Sequence, residues 1–271
     1  MTRVSIVIPC FNDGAHLREA VESALAQDHD DCEVLVADDG STDAATLREL
    51  DTLDELGVRV LCLDHAGVSS TRNSAIAAAS GDHVLPLDAD DRLAPAYAGE
   101  ASRLLDADPA VGIVGAGTEF FGSDAGVIHP DVPRPEAWLV ANQLPVSAMF
   151  RRADWTEAGG YAQDLRWGED WHFWVKVVAL GREVRVLPEI GLYYRRRPGQ
   201  VTTHVPWDVQ EATRARILQA GIPIVTRFPE DSTSIIASQL NQLQAVKERR
   251  SERLRSAALH TWRRRSGRPH L

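Results

Sequence analysis

The stretch Leu85-Pro86-Leu87-Asp88-Ala89-Asp90-Asp91 decides how this chain reads. A short apolar strand runs straight into three carboxylates within four residues. Carboxylates crowd this way at a strand end when they are solvated or when a cation neutralises them. Hard oxygen donors suit Mg²⁺ or Mn²⁺, and an ion held there can grip a diphosphate. One Asp cluster alone is weak evidence, because many loops carry one. Its company strengthens it. Asp38-Asp39 also closes an apolar strand upstream, and Glu169-Asp170 precedes an aromatic helix downstream.

Outward from that stretch, strand and helix signals alternate. Val4 to Ile8 reads as a strand, followed by a turn over Pro9 to Gly14 and a helix from Ala15 to Gln27. Cys32 to Ala37 is a second strand, and Ser41-Thr42-Asp43 offers caps for a helix over Ala44 to Leu56. Val58 to Leu63 is a third strand, Gly67 to Ala79 a small-residue helix, and His83 to Leu87 a fourth strand. This rhythm predicts a mostly parallel sheet with helices on both faces. Ligands on such sheets bind outside the carboxyl ends of the strands. Pro9 to Asn12, Asp38-Asp39 and Asp88 to Asp90 are all expected there, along one edge.

Beyond residue 91 the pattern loosens. Ala94 to Asp106 reads as a helix and Val111 to Ala116 as a strand. Glu119 to Pro135, rich in Gly, Pro and Asp, reads as a hairpin or loop over the sheet. Val146 to Phe150 is a short strand, Trp167 to Leu180 an aromatic helix, and Glu183 to Leu187 and Ile190 to Tyr194 are strands. Pro206 opens a helical C-terminal segment.

Composition bounds the function. The 271 residues, 44% of them hydrophobic, suffice for one large α/β domain with an appendage. No apolar run reaches the roughly 18 residues of a membrane span, and the N-terminal residues read as a strand rather than a signal peptide. Cys10, Cys32 and Cys62 show no metal or disulfide spacing, which points to a reducing compartment and to small core residues. The formal charge of −10 argues against nucleic-acid binding. It is unevenly spread: Lys247 to Arg268 carries a net +7, leaving about −17 on the rest.

Taken in order, these motifs resemble the family-2 glycosyltransferases, inverting nucleotide-sugar enzymes with a GT-A fold. The residues that carry the resemblance are Val4 to Asn12, Val36 to Asp43, Gly67 to Asn73, Gly81 to Asp91, Glu169 to Trp174 and Tyr193 to Arg196. Each motif is modest alone; together, in the family's order and spacing, they are specific over about residues 3–205. The resemblance implies a mostly parallel central sheet flanked by helices, with a helical C-terminal extension. The domain at 1–205 is expected to divide into a nucleotide-binding half, 1–91, and an acceptor-binding half, 92–205. The extension then covers 206–271.

The resemblance also implies roles. Asp39 stands where the family's second Asp accepts a hydrogen bond from the base; a turn and N-cap is the plainer reading of Asp38 to Ser41, and both can hold. Backbone around Pro9, Phe11 and Asn12 frames the base. Arg72 donates to base or diphosphate, or is a surface helix residue. Asp88 matches the D-x-D position that contacts ribose or sugar, Asp90 the one that binds Mn²⁺ or Mg²⁺, and Asp91 caps the next segment. Asp170 is the candidate general base, taking the acceptor hydroxyl's proton as it attacks. Glu169 orients it or holds the acceptor. Trp171 or Trp167 stacks on a sugar, and Trp174 and Val178 are core.

Two positions depart from the family pattern. His65 stands where an Asn is common. Arg197 stands where a histidine commonly approaches the metal or diphosphate; an arginine cannot ligate a cation but can bind phosphate, and His204 is near enough to substitute. The expected donor is a UDP-sugar, with dTDP and GDP as alternatives, and the acceptor is an unidentified hydroxyl. Arginines cover the basic tail around Leu240, Leu243, Val246, Leu254 and Trp262, so it can meet an anionic membrane, pack on the acidic body or form a homodimer. The protein is expected in the cytoplasm, either free or peripheral at the inner face of the membrane. A nucleotidyltransferase and a non-catalytic nucleotide-sugar-binding scaffold are the competing readings. The first is disfavoured because Pro9 to Gly14 has one Gly and no Lys or Arg.

Overall fold

A computed structural model of the chain describes residues 2–198 and 205–237. The expected substitute ligand His204 and the tail from residue 238 onward, including Leu240 to Trp262, lie outside the described residues. The chain begins with the expected alternation: β1 (Val4–Cys10), α1 (Gly14–Leu25), β2 (Cys32–Asp38), α2 (Ala44–Thr52), β3 (Arg59–Cys62), α3 (Val68–Ala78) and β4 (His83–Pro86). β1 is buried along its whole length because helices cover both faces of its sheet. It pairs in parallel with β2 on one side and β4 on the other, and β2 pairs in parallel with β3. Asp43 caps α2 through the Thr46 N–H at 2.8 Å, as the sequence predicts.

The second half is mixed rather than parallel. It contains β5 (Arg92–Leu93), α4 (Tyr97–Ala107), β6 (Val111–Gly122), β7 (Gly126–Ile128), β8 (Met149–Arg151), α5 (Arg152–Ala158), α6 (Glu169–Ala179) and β9 (Glu183–Arg196). One sheet runs β3-β2-β1-β4-β8-β6-β9-β5, with β7 paired back onto β6 as a hairpin. β8 is antiparallel to both β4 and β6, and β5 is antiparallel to β9. Sequence separates β9 into two strands. The structure joins them, with register shifts against β6 near Pro188, whose missing N–H suits an irregular position. α7 (Trp207–Ala220) and α8 (Ile222–Arg227) follow, and α7 packs on α6.

Two apolar cores cover the two sheet faces, and alternate residues of β1 feed them. Ile6 and Ile8 join Leu17, Val21 and Leu105 on one side. Val7 joins Ile76, Phe150, Phe173 and Trp174 on the other. Trp174 and Val178 are buried, as expected. Cys10 is core, but Cys62 is exposed at the edge strand β3, against expectation; an edge position leaves one flank of the strand uncovered. Among the described residues no helix is long and apolar enough to cross a membrane.

Candidate active site

The loops at the carboxyl ends of β1, β2 and β4 meet and are tied to one another. Asn12 adopts φ +52°, a left-handed conformation that Asn tolerates better than most residues. Its side-chain oxygen accepts the N–H groups of Thr42 and Asp43 at 2.8 and 2.9 Å, and its own N–H donates to Ser41 Oγ. Asn12 therefore pins the β1 loop to the β2 loop. Asp38 accepts the Ser41 N–H. Asp39, only 4% exposed, accepts the N–H groups of Ala66 and Gly67 at 2.9 and 3.0 Å and sits 3.0 Å from His65 Nδ1. His65 in turn stacks on Phe11 with centroids 4.3 Å apart. Asp39 and His65 thus hold the β3–α3 loop and brace an aromatic platform, since Phe11 remains 46% exposed.

A cleft of about 590 Å³ opens beside that platform. Its walls include Pro9, Phe11, Arg72, Asp88, Asp90, Glu169 and Arg197, so the structure gathers most of the expected residues in one place. Arg72 is not a surface residue. At 3% exposure it donates Nη2 to Asp88 at 2.6 Å and Nη1 to Glu169 at 2.8 Å, so one guanidinium joins the end of β4 to the start of α6. A buried arginine between two carboxylates is tolerable because each charge is paired.

Asp90 faces the cleft with Oδ2 2.6 Å from Arg197 Nη2. Arg197 also forks onto Asp13, at 3.0 and 2.8 Å. Asp13 was not singled out by sequence. It stands at the N-cap of α1, yet its side chain makes no capping bond; Thr46 Oγ1 accepts the Gly14 N–H instead. Gly14 is required there, because a Cβ would lie 2.4 Å from Thr46 Cα. Burial, then the charge of Asp88, raises the Asp90 pKa. Asp91 does not cap the next segment as expected. It is buried and accepts the Arg195 N–H at 2.7 Å, fastening the acidic loop to β9. Burial, then the Asp88 charge, pushes its pKa up to about 9.

Asp170 lies in the first turn of α6, after Gly168, whose φ of +70° turns the chain into the helix. Its Oδ2 accepts from Asn142 Nδ2 at 2.8 Å and its Oδ1 from the Trp171 N–H at 2.7 Å. Burial, then the neighbouring Glu169 charge, raises its pKa to about 7. Trp171 follows Asp170 in the same helix. It is buried, gives its indole N–H to the Trp138 carbonyl at 2.6 Å and lines only the part of the cleft that holds Asp170, whereas Trp167 lines both parts. Tyr194, part of the Tyr193 to Arg196 motif, is a further wall residue, as are Arg166 and Asn142, which sequence reasoning did not single out and which carry no spacing signal.

Asp88 and Asp90 supply hard oxygen donors for a divalent cation. Among the described residues, no three His, Cys, Asp or Glu side chains converge into a metal cage. Mg²⁺ sites commonly use one or two carboxylates and take the remaining ligands from water and substrate phosphates. Asp90 fits that pattern. The cleft also has need of positive charge: Asp13, Asp88, Asp90 and Glu169 line it against Arg72, Arg166 and Arg197.

The sheet order, the crowded acidic loop after β4 and the carboxylates at the start of α6 define a GT-A transferase fold. Residues 5–158, more than half of the chain, match the model of glycosyl transferase family 2, and the chain belongs to that family. It is 27% identical over 221 residues to the Bacillus subtilis (strain 168) glycosyltransferase EpsJ, covering 73% of this chain and 62% of EpsJ. Among solved structures, TarS 1-349 of S. aureus in complex with UDP-GlcNAc superposes with a TM-score of 0.66 at 20% identity, covering 82% of this chain and 66% of that one. The mannosyltransferase PcManGT of Pyrobaculum calidifontis, in complex with GDP-Man and Mn²⁺, superposes with a TM-score of 0.56 at 18% identity, covering 89% of this chain and 80% of that one. The chain thus spans less than two thirds of the length of EpsJ.

Proposed function

We propose that this chain transfers a sugar from a nucleoside-diphosphate donor to an acceptor hydroxyl, with inversion and with Asp170 as the general base. The observation that carries this reading is the placement of Asp170. It shares the cleft wall with Arg72, Asp88 and Glu169, and burial brings its pKa to about 7. A general base works best with a pKa near the operating pH. Asp170 takes the proton of the attacking hydroxyl, and Asn142 fixes the carboxylate's direction. Inversion by direct displacement needs no covalent enzyme intermediate.

The donor end is read from the opposite wall. Phe11, backed by His65, offers a face to a nucleobase, and Arg197 offers a planar fork to the diphosphate. Asp90 is the residue proposed to hold Mn²⁺ or Mg²⁺, which when bound supplies Lewis-acid neutralisation of the leaving diphosphate. Four carboxylates against three guanidiniums line the cleft, so a diphosphate needs a cation with it. A UDP-sugar is the favoured donor, in line with the UDP-GlcNAc in the TarS complex; the GDP-Man in PcManGT keeps GDP in the test.

Calorimetric titration of UDP, dTDP, GDP and CDP, with and without Mn²⁺, tests the donor site. One nucleotide should bind tightly with metal and at least about tenfold more weakly to Asp90→Ala. Asp170→Asn should keep that binding and lose about 10²–10⁴ in transfer rate. A folded protein that binds none of the four would overturn the reading.

A further inference from the structure

A second groove, of about 350 Å³, continues from the catalytic cleft on the side away from Phe11. It shares Asn142, Pro145 and Tyr194 with the part of the cleft that holds Asp170. Asn142 is the hinge of the two spaces, because the same side chain donates to Asp170. The volume falls at the lower end of the about 300–1,000 Å³ of small-molecule sites. Its walls combine the apolar Ile128, Pro130 and Leu144 with the polar Asn142 and Gln143. That mixture suits a saccharide, whose ring faces are apolar and whose edges carry hydroxyls.

One charged side chain lines this groove, and it is Arg196. Its chain neighbours are committed: Arg195 meets Glu19 at 2.8 Å, and Arg197 meets Asp13 and Asp90. Arg196 has no carboxylate partner among the described residues. Its guanidinium lies over the Phe120 and Tyr194 rings, 4.5 and 5.3 Å from their centroids, and its buried Nε has no hydrogen-bond partner. Aromatic faces hold a guanidinium flat and leave its edge N–H groups free for an anion. The half-buried setting strengthens such a pair relative to one in bulk water.

We propose that this groove is the acceptor subsite and that Arg196 selects an acceptor bearing an anionic group beside the sugar that is glycosylated. The group is a carboxylate or a phosphate; both accept the forked N–H pair. The proposal rests on Asp170 being the base, since that carboxylate sets which end of the groove receives the hydroxyl.

The test is binding of three probes to the intact protein, by saturation-transfer NMR and calorimetry at low salt. They are a glucuronate-terminated disaccharide, its neutral glucose-terminated counterpart, and octyl-phosphoglucose. At least one anionic probe should bind tenfold or more tightly than the neutral one, and added salt should erode the difference. Preference for the uronate, for the phosphate or for both identifies the source of the charge. Arg196→Gln should abolish the preference and Arg196→Lys should keep much of it. Melting curves of both variants should stay close to that of wild type, so that loss of the preference is not loss of the fold. Asp170→Asn should keep the anion preference while losing turnover, so failure of the base assignment and failure of the subsite read out separately. Equal binding of all three probes, binding of none, or a preference that survives Arg196→Gln overturns the proposal.

Discussion

The two ends of the cleft manage charge differently. On the β1–β4 side four acidic residues at the strand ends are spoken for. Asp38 holds Ser41, Asp39 holds Ala66 and Gly67, Asp88 holds Arg72, and Asp90 holds Arg197. On the α6 and β9 side, Asp170 has only an amide and one backbone N–H, and Arg196 has no carboxylate partner among the described residues. The contrast separates two tasks. A frame that recognises a fixed donor gains by being tied down before the donor arrives, because little entropy is then lost on binding. A base and an acceptor subsite need charge that is not already spent.

The sharpest way to break this comparison is to remove one arginine from each side. Arg72→Met leaves Asp88 and Glu169 without their shared cation. The expected cost is about 3 kcal/mol, the lower end for breaking a buried pair because Asp88 is partly exposed. For a domain of this size that lowers Tm by roughly 6–12 °C. Arg196→Met gives up only ring contacts, each about 0.5–1 kcal/mol at an exposed site. The two contacts come to about 1–2 kcal/mol, so its Tm should fall by about one to two thirds as much in the same melts. Equal losses in the two variants would erase the distinction between a structural and an uncommitted guanidinium.

Next in size is the pH response of Asp170. With a pKa near 7, held up first by burial and then by Glu169, the base is protonated on the acid side. Transfer should fall about tenfold per unit below pH 7 and level off above it. Glu169→Gln removes a neighbouring negative charge, so the acid limb should move down by about one unit even though the Arg72 pair is weakened. A limb that stays in place, or moves up, would show that another group titrates.

Arg197 gives a smaller, differential effect. It pairs with Asp90 Oδ2, the oxygen the proposed divalent ion would need. Arg197→Ala should therefore strengthen Mn²⁺ binding by several-fold in the absence of nucleotide and weaken nucleotide binding in its presence. Titration of Mn²⁺ by electron paramagnetic resonance, with and without nucleotide, reads both. If Mn²⁺ binds the variant no better than wild type, Arg197 and the ion do not share Asp90.

The same asymmetry governs what the sequence made legible. The parallel half reads easily because strands buried on both faces are unbroken apolar runs, and each ends in a polar loop that the sheet places on one edge. The mixed half hides some of its elements. β5 has two residues, too short for a periodic signal; the strand read over Val146 to Phe150 is β8 at Met149–Arg151, and α5 begins directly after it at Arg152 with no breaker between them. Within the site, sequence picked out Asp88, Asp90 and Asp170 because carboxylates crowd at those strand and helix ends, and Arg72 because the family resemblance implies a donor contact there. It missed Asp13 because an Asp before a helix already has an ordinary explanation as a cap, and only the structure shows that side chain spent on Arg197. It also could not show that Asp39 is occupied by Ala66 and Gly67, because those contacts cross between loops.

The last test falls on the seam between the two halves. Asp91 is buried and accepts a single N–H, from Arg195 on β9, and burial raises its pKa to about 9 against an ordinary value of 3.8. Below about pH 4 folded and unfolded chains both hold this proton, and its contribution to stability is fully present. As pH rises from about 4 towards 9 the unfolded chain ionises first, so stability drains away over that window. An asparagine keeps an oxygen for the Arg195 N–H and cannot ionise. Asp91→Asn should therefore melt with wild type near pH 4 and above it at pH 8, with the gap widening as pH rises between them. The sign is what matters. If Asp91 were ionised and stabilised by its neighbours, the variant would instead fall below wild type as pH rises. Melting curves at the two pH values therefore place this residue on one side of the comparison or the other: a carboxyl held neutral to join two halves, or one more charge in the donor frame.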